Sequence, residues 1–176
     1  MTIRKASGFA LIDVIFVCGI MGLLTSIAIP RLLGARQSAS AASAIGTLRA
    51  ITSAELTFAL ACGNGFYAPS LTALGTAPPG SNEPFIGGGL GLNDVVVKSS
   101  YRFVLEGVAF PGAPPTCNGL GAGAGARGYR VSADPTEPTN SRFFGTNSYA
   151  AIYEDGVAMF DDLPEVGEPT TGAILH

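Results

Sequence analysis

The sequence contains no tryptophan and only one histidine, His176, which is its last residue. A histidine-based catalytic centre needs an imidazole held firmly by its surroundings, and a chain end holds a side chain poorly. Structural zinc sites are built from several cysteine and histidine ligands, which one histidine does not supply. The composition therefore argues against a histidine-dependent enzyme and against a zinc site.

Charged residues are also scarce. They make up 13% of the 176 residues, against about 25% in ordinary globular domains. Hydrophobic residues make up 47%, which excludes intrinsic disorder and predicts a chain that enters a membrane or packs against copies of itself. The net charge is −3 without a basic cluster, so specific binding of nucleic acid is not expected. The length suits one compact domain with one additional element.

The three cysteines, Cys18, Cys62 and Cys117, are too far apart for a metal knuckle or a short redox motif. Cys18 lies in an apolar run. Cys62 and Cys117 lie in the more polar part of the chain and can pair if that part reaches an oxidising compartment. The alternative is that both remain free thiols.

The longest apolar run covers residues 9–29, FALIDVIFVCGIMGLLTSIAI, and contains a single charge, Asp13. About 20 apolar residues in a helix span the hydrocarbon core of a bilayer. Arg4 and Lys5 precede the run and predict that its N-terminal end stays in the cytoplasm. A cleaved secretory signal peptide is not favoured, because the run is too long and no Ala-x-Ala site closes it.

Asp13 is the unusual residue of this run. An unpaired carboxylate near the centre of a membrane helix costs about 2.5–3.5 kcal/mol on insertion scales. No cation nearby in the same helix can pair with it, so we expect its partner to come from another copy of the chain.

Residues 5–13, KASGFALID, resemble the type III signal of type IV pilins and pseudopilins. In that family a short basic leader ends in glycine and is followed by Phe-Thr-Leu-Ile-Glu and by an apolar helix that ends in Ala-Ile-Pro. Residues 27–30, IAIP, match that helix end. If cleavage follows Gly8, Phe9 becomes the first residue, Asp13 the fifth and Pro30 the twenty-second, which is the spacing of the family.

The resemblance implies a role for each of these residues. Gly8 and Phe9 flank the cut made by a prepilin peptidase, which also methylates the new amine. Asp13 neutralises the amine of a neighbouring subunit's first residue during assembly, and Pro30 kinks the helix. The chain departs from the family in having Asp13 instead of glutamate and Ala10 instead of threonine. The shorter carboxylate weakens that ion pair or shifts its register.

Beyond Pro30 the helical pattern continues. Ile45, Leu48, Ile51 and Phe58 form one apolar stripe, and Gly63 is a suitable stop signal. A helix over residues 9–62 would be about 80 Å long, so its N-terminal half is expected to protrude.

After Cys62 the sequence changes character. Glycine- and proline-rich stretches at 75–93 and 111–128 predict long loops. Strand-like runs lie at 95–97, 101–105, 128–133, 148–154 and 157–160, and Asp155-Gly156 predicts a hairpin turn between the last two. The predicted fold is α+β: a long N-terminal helix, transmembrane before assembly, packed on an antiparallel sheet of three or four strands.

The predicted divisions follow from these features. They are a cleaved leader (1–8), a membrane and assembly helix (9–30), an amphipathic helix half (31–62), a connecting loop (63–100), and a sheet with a glycine-rich loop and an acidic C-terminal region (101–176).

Three possible chemical sites carry less weight. The glycine runs at 87–91 and 119–125 lack the strand-to-helix context of a phosphate loop. The C-terminal region is rich in carboxylates, and Asp155, Asp161 and Asp162 are candidate Ca²⁺ ligands, although a solvated acidic face explains them as well. No catalytic residue, and no cofactor other than this calcium option, is predicted.

The sequence therefore predicts a subunit of a type IV pilus-like filament, serving adhesion, motility or DNA uptake. Its expected partners are copies of itself in a helical filament, prepilin peptidase, and the inner-membrane platform and ATPase that drive assembly. The precursor is expected to cross the inner membrane once, with its N-terminus in the cytoplasm, before moving to the cell surface. The alternatives are a periplasmic pseudopilin of a type II secretion system, a membrane-anchored domain that never assembles, and an anchored enzyme.

Overall fold

The computed structural model describes residues 11–175, so the predicted leader, the cleavage residues Gly8 and Phe9, and His176 lie outside the described residues. The chain divides into two compact units, Met1–Ala39 and Ser40–His176. A single helix, α1 (Leu11–Ala61), belongs to both units. The second unit contains the sheet and the hydrophobic core.

The C-terminal half of α1 supplies one wall of the core. Leu48, Ile51 and Phe58 of the predicted stripe are fully buried, and Ile45 is half-buried. The helix ends where Gly63 N–H donates to the Phe58 carbonyl oxygen (2.7 Å) and Gly65, with a φ of 89°, turns the chain. A left-handed backbone at this point is a common way to end a helix.

Six antiparallel strands form one sheet in the order in which they occur along the chain. They are β1 (Val95–Lys98), β2 (Tyr101–Glu106), β3 (Arg130–Pro135), β4 (Phe143–Asn147), β5 (Ile152–Asp155) and β6 (Ala173–Ile174). The α+β architecture with a long helix packed on an antiparallel sheet is confirmed. The predicted number of strands, three or four, is wrong.

Three errors account for the difference, because one predicted strand does not form and both β4 and β6 were missed. The predicted strand at 157–160 and its Asp155-Gly156 hairpin do not form, because Met159 leaves the sheet and is fully buried in a second core with Tyr153 and Leu163. β4, which the sequence pattern missed, takes the place beside β5. Its Gly145 makes room for this core, since a Cβ there would lie 2.9 Å from Leu163 Cδ2.

Both faces of the sheet are therefore covered. On the first face, alternating residues of β2 pack with α1: Tyr101, Phe103 and Leu105 are buried. On the second face, the segment between β5 and β6 crosses the sheet. Asn147 holds that segment by donating from Nδ2 to the carbonyl oxygens of Pro164 (2.9 Å) and Gly167 (2.6 Å). This coverage explains why β3 is buried along most of its length.

The predicted connecting loop contains two short elements. Helix α2 (Leu71–Gly75) is capped by the Ser70 side chain, which accepts from the Ala73 N–H, and β1 follows it. The backbones of Gly75 and Gly91 meet so closely that a Cβ on Gly75 would lie 2.2 Å from the Gly91 carbonyl oxygen. Gly75 and Gly91 thus permit close backbone packing at this point.

Core packing on α1 is tested by comparing two leucines of the same helix. Leu48 is fully buried, whereas Leu60 is 79% exposed. We expect Leu48→Ala to lower the free energy of unfolding by about 2–5 kcal/mol through lost burial and a cavity. Leu60→Ala should change it by less than about 0.5 kcal/mol. Denaturant titration of the monomer in detergent measures both values, and equal losses would contradict the assigned packing.

Candidate membrane and assembly helix

The N-terminal unit consists, within the described residues, of the part of α1 from Leu11 to Ala39. Every residue from Leu11 to Arg36 is exposed, including Leu11, Phe16 and Leu23, whose side chains are more than two-thirds accessible. A continuous apolar surface of this kind on a soluble chain marks a membrane or protein contact. By length and composition this is the one helix among the described residues that is able to cross a membrane. The segment is a candidate membrane anchor, in agreement with the sequence analysis.

Asp13 lies on this surface. It is exposed and is the only acidic residue between Leu11 and Ala39. The ion pairs among the described residues are Arg102–Asp134, Arg130–Glu106 and Arg142–Glu154, so Asp13 has no ionic partner there. The pairing of this carboxylate with another copy stays a prediction.

Pro30 lies inside α1, and the hydrogen-bonded helix continues on both sides of it. Because proline has no N–H, the carbonyl of Ser26 loses its helical partner. One turn earlier, the Thr25 hydroxyl donates to the carbonyl oxygens of Met21 (2.9 Å) and Gly22 (3.0 Å). The hydroxyl is thereby satisfied inside its own helix, as it must be in a hydrocarbon environment.

Cys62 and Cys117 form a disulfide, with their Cα atoms 4.9 Å apart. The bond joins the residue that follows α1 to the glycine-rich segment before β3. The Cys117 N–H also donates to the Cys62 carbonyl oxygen (3.2 Å). Cys18 remains a free, exposed thiol. Of the two alternatives left open by the sequence, the structure contains the disulfide.

The candidate calcium ligands do not form a site. Asp161 and Asp162 are exposed, and Asp155 accepts a hydrogen bond from the N–H of Gly156. Within residues 11–175 no group of three or more acidic, cysteine or histidine side chains is arranged to hold a metal ion. Other acids of the region are used in the fold: Glu154 pairs with Arg142, and Glu165 accepts from the Val108 N–H.

Sequence reasoning missed Glu55, a carboxylic acid with no exposed surface on the inner face of α1. Its Oε2 accepts a hydrogen bond from the Ala68 N–H (2.9 Å), whereas Oε1 has no partner. Desolvation by burial raises the pKa of Glu55 to about 8, and the Ala68 hydrogen bond opposes this shift. The sequence did contain a signal for this burial, because the position of Glu55 between Ile51 and Phe58 continues the spacing of the apolar stripe.

The surroundings of Glu55 are aromatic. Tyr129 packs edge-on against Tyr67, with ring centroids 5.1 Å apart. Burial raises the pKa of Tyr129, and an ionised Glu55 raises it further. Neither phenol supplies a positive charge, so these rings do not oppose the desolvation that raises the pKa of Glu55.

Comparison of the chain with protein-family models, with curated proteins and with solved structures finds no match in any of the three.

The contribution of the disulfide is measured by replacing both of its cysteines. Cys62 and Cys117 close a loop with a sequence separation of 55. In the chain-entropy view, opening this loop lowers the free energy of unfolding by about 4 kcal/mol. We expect that loss for Cys62→Ser/Cys117→Ser in detergent and no loss for Cys18→Ser. Equal stability of the double variant and the parent chain would contradict the expectation.

Glu55 makes stability depend on pH. Its pKa is about 8 in the folded chain and near 4.5 when exposed, so the folded state binds more protons between these values. The free energy of unfolding therefore falls as pH rises from about 4.5 to 8. Glu55→Gln keeps an acceptor for Ala68 and cannot ionise, so we expect this fall to disappear. Glu83→Gln, at an exposed position, should retain it. Thermal melts between pH 4 and 9 test this, and the same slope in Glu55→Gln would contradict it.

Proposed function

We propose that this protein is a structural subunit of a bacterial filament of the type IV pilus kind. The observation that carries the proposal is an exposed apolar helix with a single acid, Asp13, which is the last residue of the motif at residues 5–13. An ordinary anchor has no use for a carboxylate within its apolar surface. A subunit that stacks with its own copies can pair that carboxylate once assembled.

Processing comes first in this proposal. The precursor enters the inner membrane with residues 1–8 in the cytoplasm, and prepilin peptidase cuts between Gly8 and Phe9 and methylates the new amine. Removal of Arg4 and Lys5 changes the net charge from −3 to −5. An ATP-driven platform in the inner membrane then extracts the subunit and adds it to the filament.

The apolar helices hold the filament together in this scheme. Helices in lipid gain little from hydrophobic burial against one another, since lipid tails are equally apolar. Once the helices leave the bilayer, however, their apolar surface must be covered by other copies to avoid water. The same exposed surface thus suits both the membrane state and the assembled state.

The second unit suits the outside of such a filament. It has its own core, both faces of its sheet are covered, and a disulfide holds its longest irregular segment. A disulfide persists in the oxidising space beyond the inner membrane. The chain supplies no catalytic group in this proposal and acts as the substrate of the peptidase.

The test is intact-mass measurement of filaments sheared from cells. We expect an abundant species that begins at N-methylated Phe9 and is two hydrogens lighter than the reduced chain. Gly8→Val places a branched side chain at the cut and serves as the uncut reference.

Two other results separate the alternatives. A processed chain that stays in the membrane and periplasmic fractions would favour a pseudopilin over a surface pilin. A chain that retains Met1 in the membrane would contradict the proposal and leave a plain anchor.

A further inference from the structure

The N-terminal unit contains one acid and two bases that are unpaired among the described residues. Asp13, Arg31 and Arg36 are all exposed on α1, and no ion pair of residues 11–175 includes them. In water these charges are solvated, but a filament core removes that water. The acid then needs a cation, because a buried charge without a partner is strongly unfavourable.

Helix geometry distinguishes the two arginines. Eighteen residues separate Asp13 from Arg31, and at 3.6 residues per turn this is about five full turns. The two side chains therefore lie on the same side of the helix, about 27 Å apart along its axis. Arg36 is five residues further on, about 140° around the helix from that side.

We propose that Asp13 of one subunit pairs with Arg31 of the next subunit, in parallel helices offset by eighteen residues. The proposal rests on the proposed function, and it names the contact between copies on which assembly depends. Arg31 is a specific alternative to the terminal amine as the cation for Asp13. Its planar guanidinium can bind both carboxylate oxygens at once.

The same offset also matches shapes along the contact. It brings Phe16, which is 68% exposed, level with Gly34, where a Cβ would meet nothing within 4 Å. A bulky ring thus faces the position with the least side chain, as in knob-and-hole helix packing. Seven residues beyond the charged pair, Ile20 comes level with Ser38, and both are exposed.

The offset also fits the membrane. A shift of about 27 Å is close to the hydrocarbon thickness of about 30 Å. When one subunit is lifted by this distance, its Asp13 crosses the bilayer. Asp13 then lies level with Arg31 of the incoming subunit, a residue that directly follows the apolar run of that incoming subunit. The buried acid is paired when extraction is complete.

The common orientation of the subunits allows this contact to repeat from one subunit to the next. Subunits inserted with the same end in the cytoplasm are parallel, so an antiparallel pair with two reciprocal bridges is not available. Each subunit then offers Asp13 to one neighbour and Arg31 to another. Such head-to-tail contacts continue into a filament and do not close into a dimer.

Charge exchange tests the pair in full-length protein expressed in cells. We expect Asp13→Arg and Arg31→Asp alone each to reduce sheared filaments about tenfold or more, since each leaves like charges facing one another. The double variant Asp13→Arg/Arg31→Asp should restore filaments. The matched control, Asp13→Arg/Arg36→Asp, should not restore them. Immunoblots of the membrane fraction check that each subunit is inserted.

Cross-linking tests the offset without changing any charge. In a Cys18→Ser background, Ile20→Cys/Ser38→Cys should give a ladder of disulfide-linked multimers upon oxidation of intact filaments. Each single replacement should remain monomeric, because an offset of eighteen residues never brings identical positions together. Ile20→Cys/Arg36→Cys, with its second thiol on another side of the helix, should also remain monomeric.

The outcomes separate this inference from the proposed function. Rescue together with the ladder supports the pair. Wild-type filaments with neither rescue nor ladder overturn it and leave the filament proposal intact, with the terminal amine as the remaining cation. Absence of wild-type filaments, with the chain unprocessed, overturns both.

Discussion

A carboxylate in an apolar environment needs a cation as its partner. Asp13 is the carboxylate of the N-terminal unit to which this requirement applies. The helix around it is apolar and exposed, and its only bases in the described range lie beyond the apolar run. A single chain in a bilayer has no cation next to Asp13. In the proposed filament, parallel copies displaced along their axes would supply that cation, so association would satisfy a carboxylate that has no partner in the single chain. The strength of that association depends on how completely water is excluded, because salt and water weaken exposed ion pairs.

In the second unit, by contrast, most buried polar side chains find hydrogen-bond or ionic partners within the same chain. Arg130 pairs with Glu106 and also donates to the Phe160 carbonyl oxygen, which ties the sheet to the covering segment. Arg142 and Glu154 join β5 to the segment before β4. The disulfide closes the far end of α1 on the glycine-rich segment. Glu55 Oε1 and Asp134 Oδ1 are the exceptions among the described residues, and the raised pKa of the buried Glu55 makes the free energy of unfolding larger in mild acid than in mild base.

The parts of this structure that sequence predicted well depend on local or periodic signals. The apolar run, the stripe through Leu48 and Phe58, and the alternation in β2 are each visible in a short window. The number of strands is not visible in a short window. β4 reads FFGTN, and its Gly145 accommodates Leu163, which is eighteen residues away in the chain. The run at 157–160 resembles a strand by composition, yet Met159 is required in a core that only the tertiary structure creates. Glu55 was passed over because its charge suggested solvent, although its spacing suggested the core.

The two edges of the sheet are unequal. β1 presents four residues with exposed valines and ends in Lys98, whereas β6 at the other edge has two residues. An edge strand presents unpaired N–H and C=O groups that can pair with the edge of another chain, and short edges or charged side chains limit such pairing. The two-residue edge at β6 offers a neighbouring strand few hydrogen bonds, so β6 is a poor template for extension of the sheet. At the other edge, the exposed charge of Lys98 opposes pairing with a neighbouring strand.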